Sequence, residues 1–429
     1  MAAPIRVAVY GGGLAGVILA RELLDAPNLD AHAFTAGESF NEVPAAATAG
    51  IVRNGLHALD LLSPQISQSF QQAGAIPMKG VRFMLAQGND GKFIAREDSP
   101  REGTPTLSIA PLAAFIREIL ASLPSERMNS SKKLETIKRK DIDGPVILHF
   151  TDGTSHECDI LIGADGIDST IRRLLLGKDD PAAVPRNTGA WAIMARKTGA
   201  EGRKYFGDGL IEEFYECPWI GDGVFFEQQL LALNGEEILN LIIASYDKGA
   251  EGSERRSCTI SADELRGLFE NWPERLRTAV RELLCDQPDQ PAMYLLEHPP
   301  ANTFASGAIC VMGDAAHAAS PWQGPSNGMM LEDVVILSAL LGRATSPAEA
   351  IIALKTYDVV RRPRTQRVVN SSRDTGPIMT GHGEGIGLDL KQLQAKLLPR
   401  WDFMVDFDVA KHRSEAIEKM EDLLRGSTG

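Results

Sequence analysis

The chain has 429 residues, 24% charged and 44% hydrophobic, with a formal net charge of −13. That is globular composition with core enough for two or three domains, and it excludes a disordered, collagen-like or small disulfide-stapled protein. The excess of 57 acidic over 44 basic residues repels phosphate backbones and argues against nucleic-acid binding.

In chain order, Ile5–Tyr10 (IRVAVY) is β-branched and apolar, which predicts a buried parallel strand. GGGLAG follows at 11–16, then helical spacing of Val17, Ala20, Leu23 and Leu24, and a second short strand at 31–34 that closes a βαβ unit. Residues 111–123 place Leu112, Phe115, Ile116, Ile119 and Leu120 on one helical stripe. The basic stretch 131–140 reads as a solvated face. Residues 158–164 and 307–312 predict two more buried strands, each ending at an Asp-bearing turn. Between them, 223–228 and 238–246 are β-rich and suggest an inserted antiparallel sheet. Beyond 345 the chain reads as helical, opening on the capping box Ser346-Pro347-Ala348-Glu349. The glycine-rich stretch 376–387 reads as a loop. Cys158, Cys217, Cys258, Cys285 and Cys310 form no C-x-x-C pair, so reduced thiols and no metal site are expected. The absence of a long apolar run and of a leader pattern leads us to expect a cytoplasmic protein without a membrane insertion.

Three turns carry chemistry. In Gly11-x-Gly13-x-x-Gly16, the first glycine permits the tight turn, the second lets backbone approach a pyrophosphate, and the third allows helix–strand contact. The acidic ribose ligand expected about 20 residues on falls on Thr35. The second turn is GADGIDSTIRR at 163–173, with Asp165. The third is Gly313-Asp314-Ala315-Ala316-His317, where Asp314 at a strand end can accept from sugar hydroxyls. His317 reads as a catalytic base or, more simply, as a structural donor.

In this order the three motifs resemble the class A FAD-dependent aromatic monooxygenases, in particular the salicylate hydroxylase and fungal dearomatising branch. YDVVRRPRTQRV at 357–368 resembles that family's C-terminal helix. The resemblance implies an α/β fold: a Rossmann-like FAD-binding domain of the GR2/PHBH type, an inserted antiparallel-sheet substrate domain and a helical C-terminal region. The expected boundaries are 1–75, 105–185 and 291–345 for the first, 76–104 and 186–290 for the second, and 346–429 for the third. It further implies FAD as cofactor, NAD(P)H as reductant, and hydroxylation of a small aromatic or polyketide-like metabolite through a flavin C4a-hydroperoxide. Cofactor contacts are then expected from Gly11, Gly13, Leu14, Ala15, Gly16, Thr35, Arg53, Asp165, Asp314, Gly324 and Asn327. Trp191, Trp219, Phe226 and Trp322 are candidates for stacking on substrate, and Tyr215, Glu227 and His317 for acid–base work.

Several positions depart from the family pattern. The ribose glutamate becomes Thr35, the following Gly-Ala-Gly becomes Pro44-Ala45-Ala46, and a cofactor-binding arginine becomes Leu112. An aromatic-Arg-Gly turn becomes Trp191-Ala192-Ile193, and the flavin loop becomes Gly324-Pro325-Ser326-Asn327-Gly328. These departures leave a second reading open: the same fold without FAD redox chemistry, working as an isomerase, cyclase or lyase through Thr35, Asp314, His317 and Ser326. A partner-binding protein without chemistry is a third.

Overall fold

The computed structural model describes residues 3–44, 47–100, 103–207, 211, 214–233 and 235–427. Its first layer is a six-stranded sheet centred on Ile5–Tyr10, with Leu29–Phe34 and Ile160–Gly163 parallel on either side. Ile309–Val311 pairs in parallel beyond Ile160–Gly163. Central strands of this kind are buried on both faces, which is why Val7, Ala8, Val9, Leu161, Ile162 and Val311 are all apolar. Helices Leu14–Leu23 and Ser326–Leu341 cover it, and both are apolar because both lie inside.

The second layer is an eight-stranded sheet built from 80–98 and 186–297. Its strands run antiparallel except where Tyr215–Ile220 lies parallel to Gly80–Leu85. One face packs on helices Gly199–Phe206, Ala262–Leu268 and Glu274–Leu284, with Trp219, Phe226, Phe269 and Leu276 in the seam. The other face turns toward the six-stranded layer, and Phe225, Ile220 and Ala244 meet Trp322 there. A small sheet of Thr48–Val52, Leu107–Pro111 and Ile76–Pro77 bridges the two layers. The chain therefore forms the expected α/β arrangement with an antiparallel insertion and C-terminal helices.

Local details differ from the sequence reading. The helix expected at 111–123 spans Leu112–Leu120. The segment from 376 is not all loop: helix Pro347–Met379 runs through it, with Pro363 and Pro377 inside, and the loop starts at Thr380. Ser346 caps that helix by accepting from the Glu349 amide, but Glu349 answers to Thr345 rather than to Ser346. All five cysteines are free. Among the described residues no helix is long and apolar enough to cross a membrane, and no metal-binding cluster occurs.

Candidate cofactor and substrate site

The three turns meet at the C-terminal ends of adjacent parallel strands. Tyr10 pairs with Gly163, and Gly163 with Val311. The Ala164 amide donates to the Tyr10 carbonyl at 2.8 Å, and the Met312 amide to the Gly163 carbonyl at 2.9 Å. Gly11 has φ +144°, and a Cβ there would lie 2.0 Å from the Ala164 carbonyl oxygen. Gly16 is equally closed, 2.1 Å from the Gly11 carbonyl oxygen. At Gly13 a Cβ would meet nothing within 4 Å. That is the pattern of a phosphate cradle: two glycines compelled by packing and one left open toward a ligand at a helix N-terminus. Leu14 is buried, and Ala15 lies against Gly313.

Arg172 locks the second turn to the third. Its buried guanidinium donates to the carbonyls of Ala182 (2.6 Å), Ala315 (3.1 Å), Ala316 and Pro299 (3.2 Å). Among the described residues no carboxylate bonds to it, and desolvation lowers its pKa to about 10 against the attraction of Asp180. Asp165 faces its own turn: its carboxylate accepts from Ser169 Oγ and the amides of Thr170 and Ile171. Its part is to shape the turn.

Asp314 differs. It is open to water yet hemmed in by protein, and desolvation raises its carboxyl despite the attraction of His317. Its carboxyl is thus exposed at the strand end yet surrounded closely enough to feel the loss of water. His317 points the other way, to Asp333 Oδ2 at 2.6 Å, which also accepts from the Gly313 amide at 2.9 Å. His317 is therefore a structural donor holding the Asp314 turn.

Asp333 belongs to a buried charge knot that the motif reading missed. Arg361 Nε donates to Asp333 Oδ1 (2.8 Å) and Nη1 to Glu332 Oε2 (2.6 Å). Arg364 and Asn54 both donate to Glu332 Oε1, at 3.0 and 2.7 Å. Desolvation alone would raise Asp333, but His317 and Arg361 outweigh it and hold the carboxyl at about 2. The arginines lie in the 357–368 segment and the acids follow the third turn; their pairing was open to a reader who set those two charged stretches side by side.

At the ribose end, Thr35 is buried, with its hydroxyl accepting from the Gly37 amide at 3.3 Å. It presses against Gly12, where a Cβ would meet Thr35 Oγ1 at 2.5 Å. Leu112 is half-buried, its amide donating to the Ala47 carbonyl. Ala45 and Ala46 lie outside the described residues. At the opposite end, Gly324 has φ +63° with its Cβ position open apart from Val52 at 3.9 Å. Asn327 Nδ2 holds the Gly50 carbonyl at 2.9 Å. Arg53 is engaged by Asp406 (3.0 Å) and Thr106 (3.2 Å).

The aromatic candidates separate by sheet face. Trp219 and Phe226 are cross-strand partners under the helices, Phe226 meeting Phe269 and Trp272 edge-on. Trp191 shares that core. All three point away from the six-stranded layer. Trp322 lies on the near side, stacked on Tyr246 and edge-on to Phe225. Tyr215 sits at the sheet rim, where it donates to Asp98 and accepts from Arg96. Glu227 is on the near face. A cleft of about 970 Å³ opens at the edge of this sheet, lined by Trp191, Trp272 and Tyr294 together with Tyr246 and Leu388.

Residues 268–372 match the family model described as FAD binding domain. Along 98% of its length the chain is 30% identical to 6-methylsalicylate 1-monooxygenase of Aspergillus terreus, covering 93% of that protein. The chain belongs to the class A FAD-dependent monooxygenases. To the salicylate hydroxylase of Pseudomonas putida this monooxygenase is 28% identical, over 96% of its own length and 94% of the other's. A solved salicylate hydroxylase substrate complex superposes with a TM-score of 0.82 at 23% identity, covering 96% of this chain and 98% of that one, and thereby shares the GR2/PHBH-type fold. FAD is the cofactor of this enzyme family, and the groove at the three turns fits it. Gly13 is open at a helix N-terminus, and Asp314 stands exposed at the neighbouring strand end. Thr35 stands where the family resemblance led us to expect an acid, and it is buried against Gly12.

Proposed function

We propose that the monooxygenase uses FAD, with NAD(P)H as reductant, to hydroxylate a small aromatic or polyketide-like metabolite. The observation that carries this is the convergence of the three turns at the C-terminal ends of adjacent parallel strands, with Trp322, beyond the third turn, packed against the antiparallel sheet. Gly11, Gly13 and Gly16 would seat the pyrophosphate on the helix N-terminus, and Asp314 would accept from the sugar-like chain. Gly324 and Asn327 would border the flavin ring, with Arg53 bracing that wall through Asp406. Bound FAD supplies the oxygen chemistry; the chain supplies binding, orientation and water exclusion. We assign the FAD-binding role to residues 1–75, 105–185 and 291–345, and the substrate-facing role to 76–104 and 186–290. The two relatives are named for 6-methylsalicylate and salicylate, both small aromatics, which supports the same class here.

The test is colour and turnover. Purified protein titrated with FAD should show flavin bands between about 350 and 500 nm at near-unit occupancy, and then oxidise NAD(P)H in air faster when a small phenol is added. A colourless chain that takes up no FAD at high micromolar concentration ends this reading and returns the non-redox one.

A further inference from the structure

The sheet face turned toward the groove is apolar at both ends and acidic between. At one end Phe225 and Ile220 pack with Trp322; at the other Leu231 packs with Ile109 and Met78. Strand alternation puts Glu227 on this same face, between Phe225 and Leu231. Its cross-strand partner is Pro218, while Glu216 lies opposite Gln229, so the two acids stand one diagonal apart on neighbouring strands.

Their hydrogen bonding is unequal. Gln229 Nε2 donates to Glu216 Oε1 at 3.0 Å, Asn240 Nδ2 donates to Gln229 Oε1 at 3.3 Å, and Arg196 Nε donates to Asn240 Oδ1 at 3.1 Å. Every donor in this chain across four strands points toward Glu216, which fixes Glu216 as an acceptor. Glu227 has no hydrogen-bond partner among the described residues. A half-buried carboxyl without a protein partner is left for a ligand to hydrogen-bond.

We propose that Glu216 and Glu227 form the recognition end of the substrate cavity and select an uncharged aromatic bearing a donor hydroxyl over an aromatic carboxylate. This rests on the hydroxylase reading above. Desolvation raises both carboxyls, Glu216 to about 7 and Glu227 well above its ordinary value, the latter also through repulsion by Glu216. Near neutral pH the pair therefore holds at least one proton between two acids. The protonated member donates to a neutral ligand oxygen. The ionised fraction of Glu216 accepts a phenol proton: the O–H bond breaks, the carboxylate becomes a carboxylic acid, and the ring is left an electron-rich phenolate with no change of oxidation state. A benzoate would bring a further negative charge into the same enclosed space. The other charged groups on facing elements are Glu97, 3.6 Å from Arg53, and beyond it Asp402 and Asp406. Arg196 closes the far end of the amide chain.

The test titrates the FAD-loaded enzyme at about pH 7.5 with 3-methylphenol and with 6-methylsalicylate, following the flavin difference spectrum and intrinsic tryptophan fluorescence. The phenol should bind at least about tenfold more tightly than the acid, and Glu227→Gln or Glu216→Gln should shrink that preference to about threefold or less by improving the acid. Equal affinities in the wild type, no binding of the phenol, or a preference unchanged in both variants overturns the proposal. Failure of the hydroxylase reading looks different: flavin bands are missing, while fluorescence still reports whether the two carboxyls discriminate.

Discussion

Gly11 and Gly13 are two residues apart and do opposite things. A methyl at Gly11 collides with backbone, whereas one at Gly13 enters open space in the groove. We predict that Gly13→Ala leaves unfolding of the FAD-free chain within about 0.5 kcal/mol of wild type, yet weakens FAD by about tenfold or more, read by fluorescence titration. Arg361 makes the converse case: it lies far from any ligand contact but joins Glu332 and Asp333 inside the protein. Removing it takes the shared cation from two buried carboxylates, leaving Glu332 to Arg364 and Asn54 and Asp333 to His317 and the Gly313 amide, so Arg361→Ala should cost about 3–5 kcal/mol in denaturant unfolding. A loss under 1 kcal/mol would mean that water reaches the knot.

At the scale of elements, the eight-stranded sheet divides its residues by face. Glu227 has a raised pKa when folded, so the folded state prefers the protonated form. That preference is satisfied at low pH, and stability is lost as pH climbs from about 4.5 through the folded value. Glu227→Gln should therefore raise the unfolding free energy, by roughly 1–3 kcal/mol at pH 8 and by little at pH 4.5. A gain equal at both pH values would show that Glu227 is not desolvated. The same sheet shows what could be read in advance. Strand–turn–helix units at 5–23 and 160–176 were legible, because glycine and capping residues must stand at fixed offsets from an apolar strand. The β-rich stretches at 223–228 and 238–246 were legible too, but not the phase of their alternation. Nothing local says which of Phe225 and Phe226 meets the six-stranded layer; long-range packing decides it. Trp191, Trp219 and Phe226 were chosen for being aromatic and lie in the helix-covered core. Glu216 drew no attention, since its neighbours Gln229 and Asn240 are distant in sequence.

For the molecule as a whole, the groove is assembled from the start, middle and last third of the chain. Ligand binding to such a groove is coupled to global folding, so FAD at about one hundred times its dissociation constant should stabilise the protein by about 2.7 kcal/mol, visible as a rise of several degrees in thermal unfolding. No shift at saturating FAD would mean that the turns do not hold it. The bracket of Arg172 on Ala315 and Ala316, and the knot of Arg361 on Glu332 and Asp333, set an order of events in synthesis. A nascent polypeptide that has emerged only to residue 345 has its phosphate-binding glycines and Arg172 but lacks Arg361, the cation that holds Asp333 against the Asp314 turn. Flavin loading must therefore wait until the ribosome has delivered the long helix, making cofactor uptake a late step in the life of this enzyme.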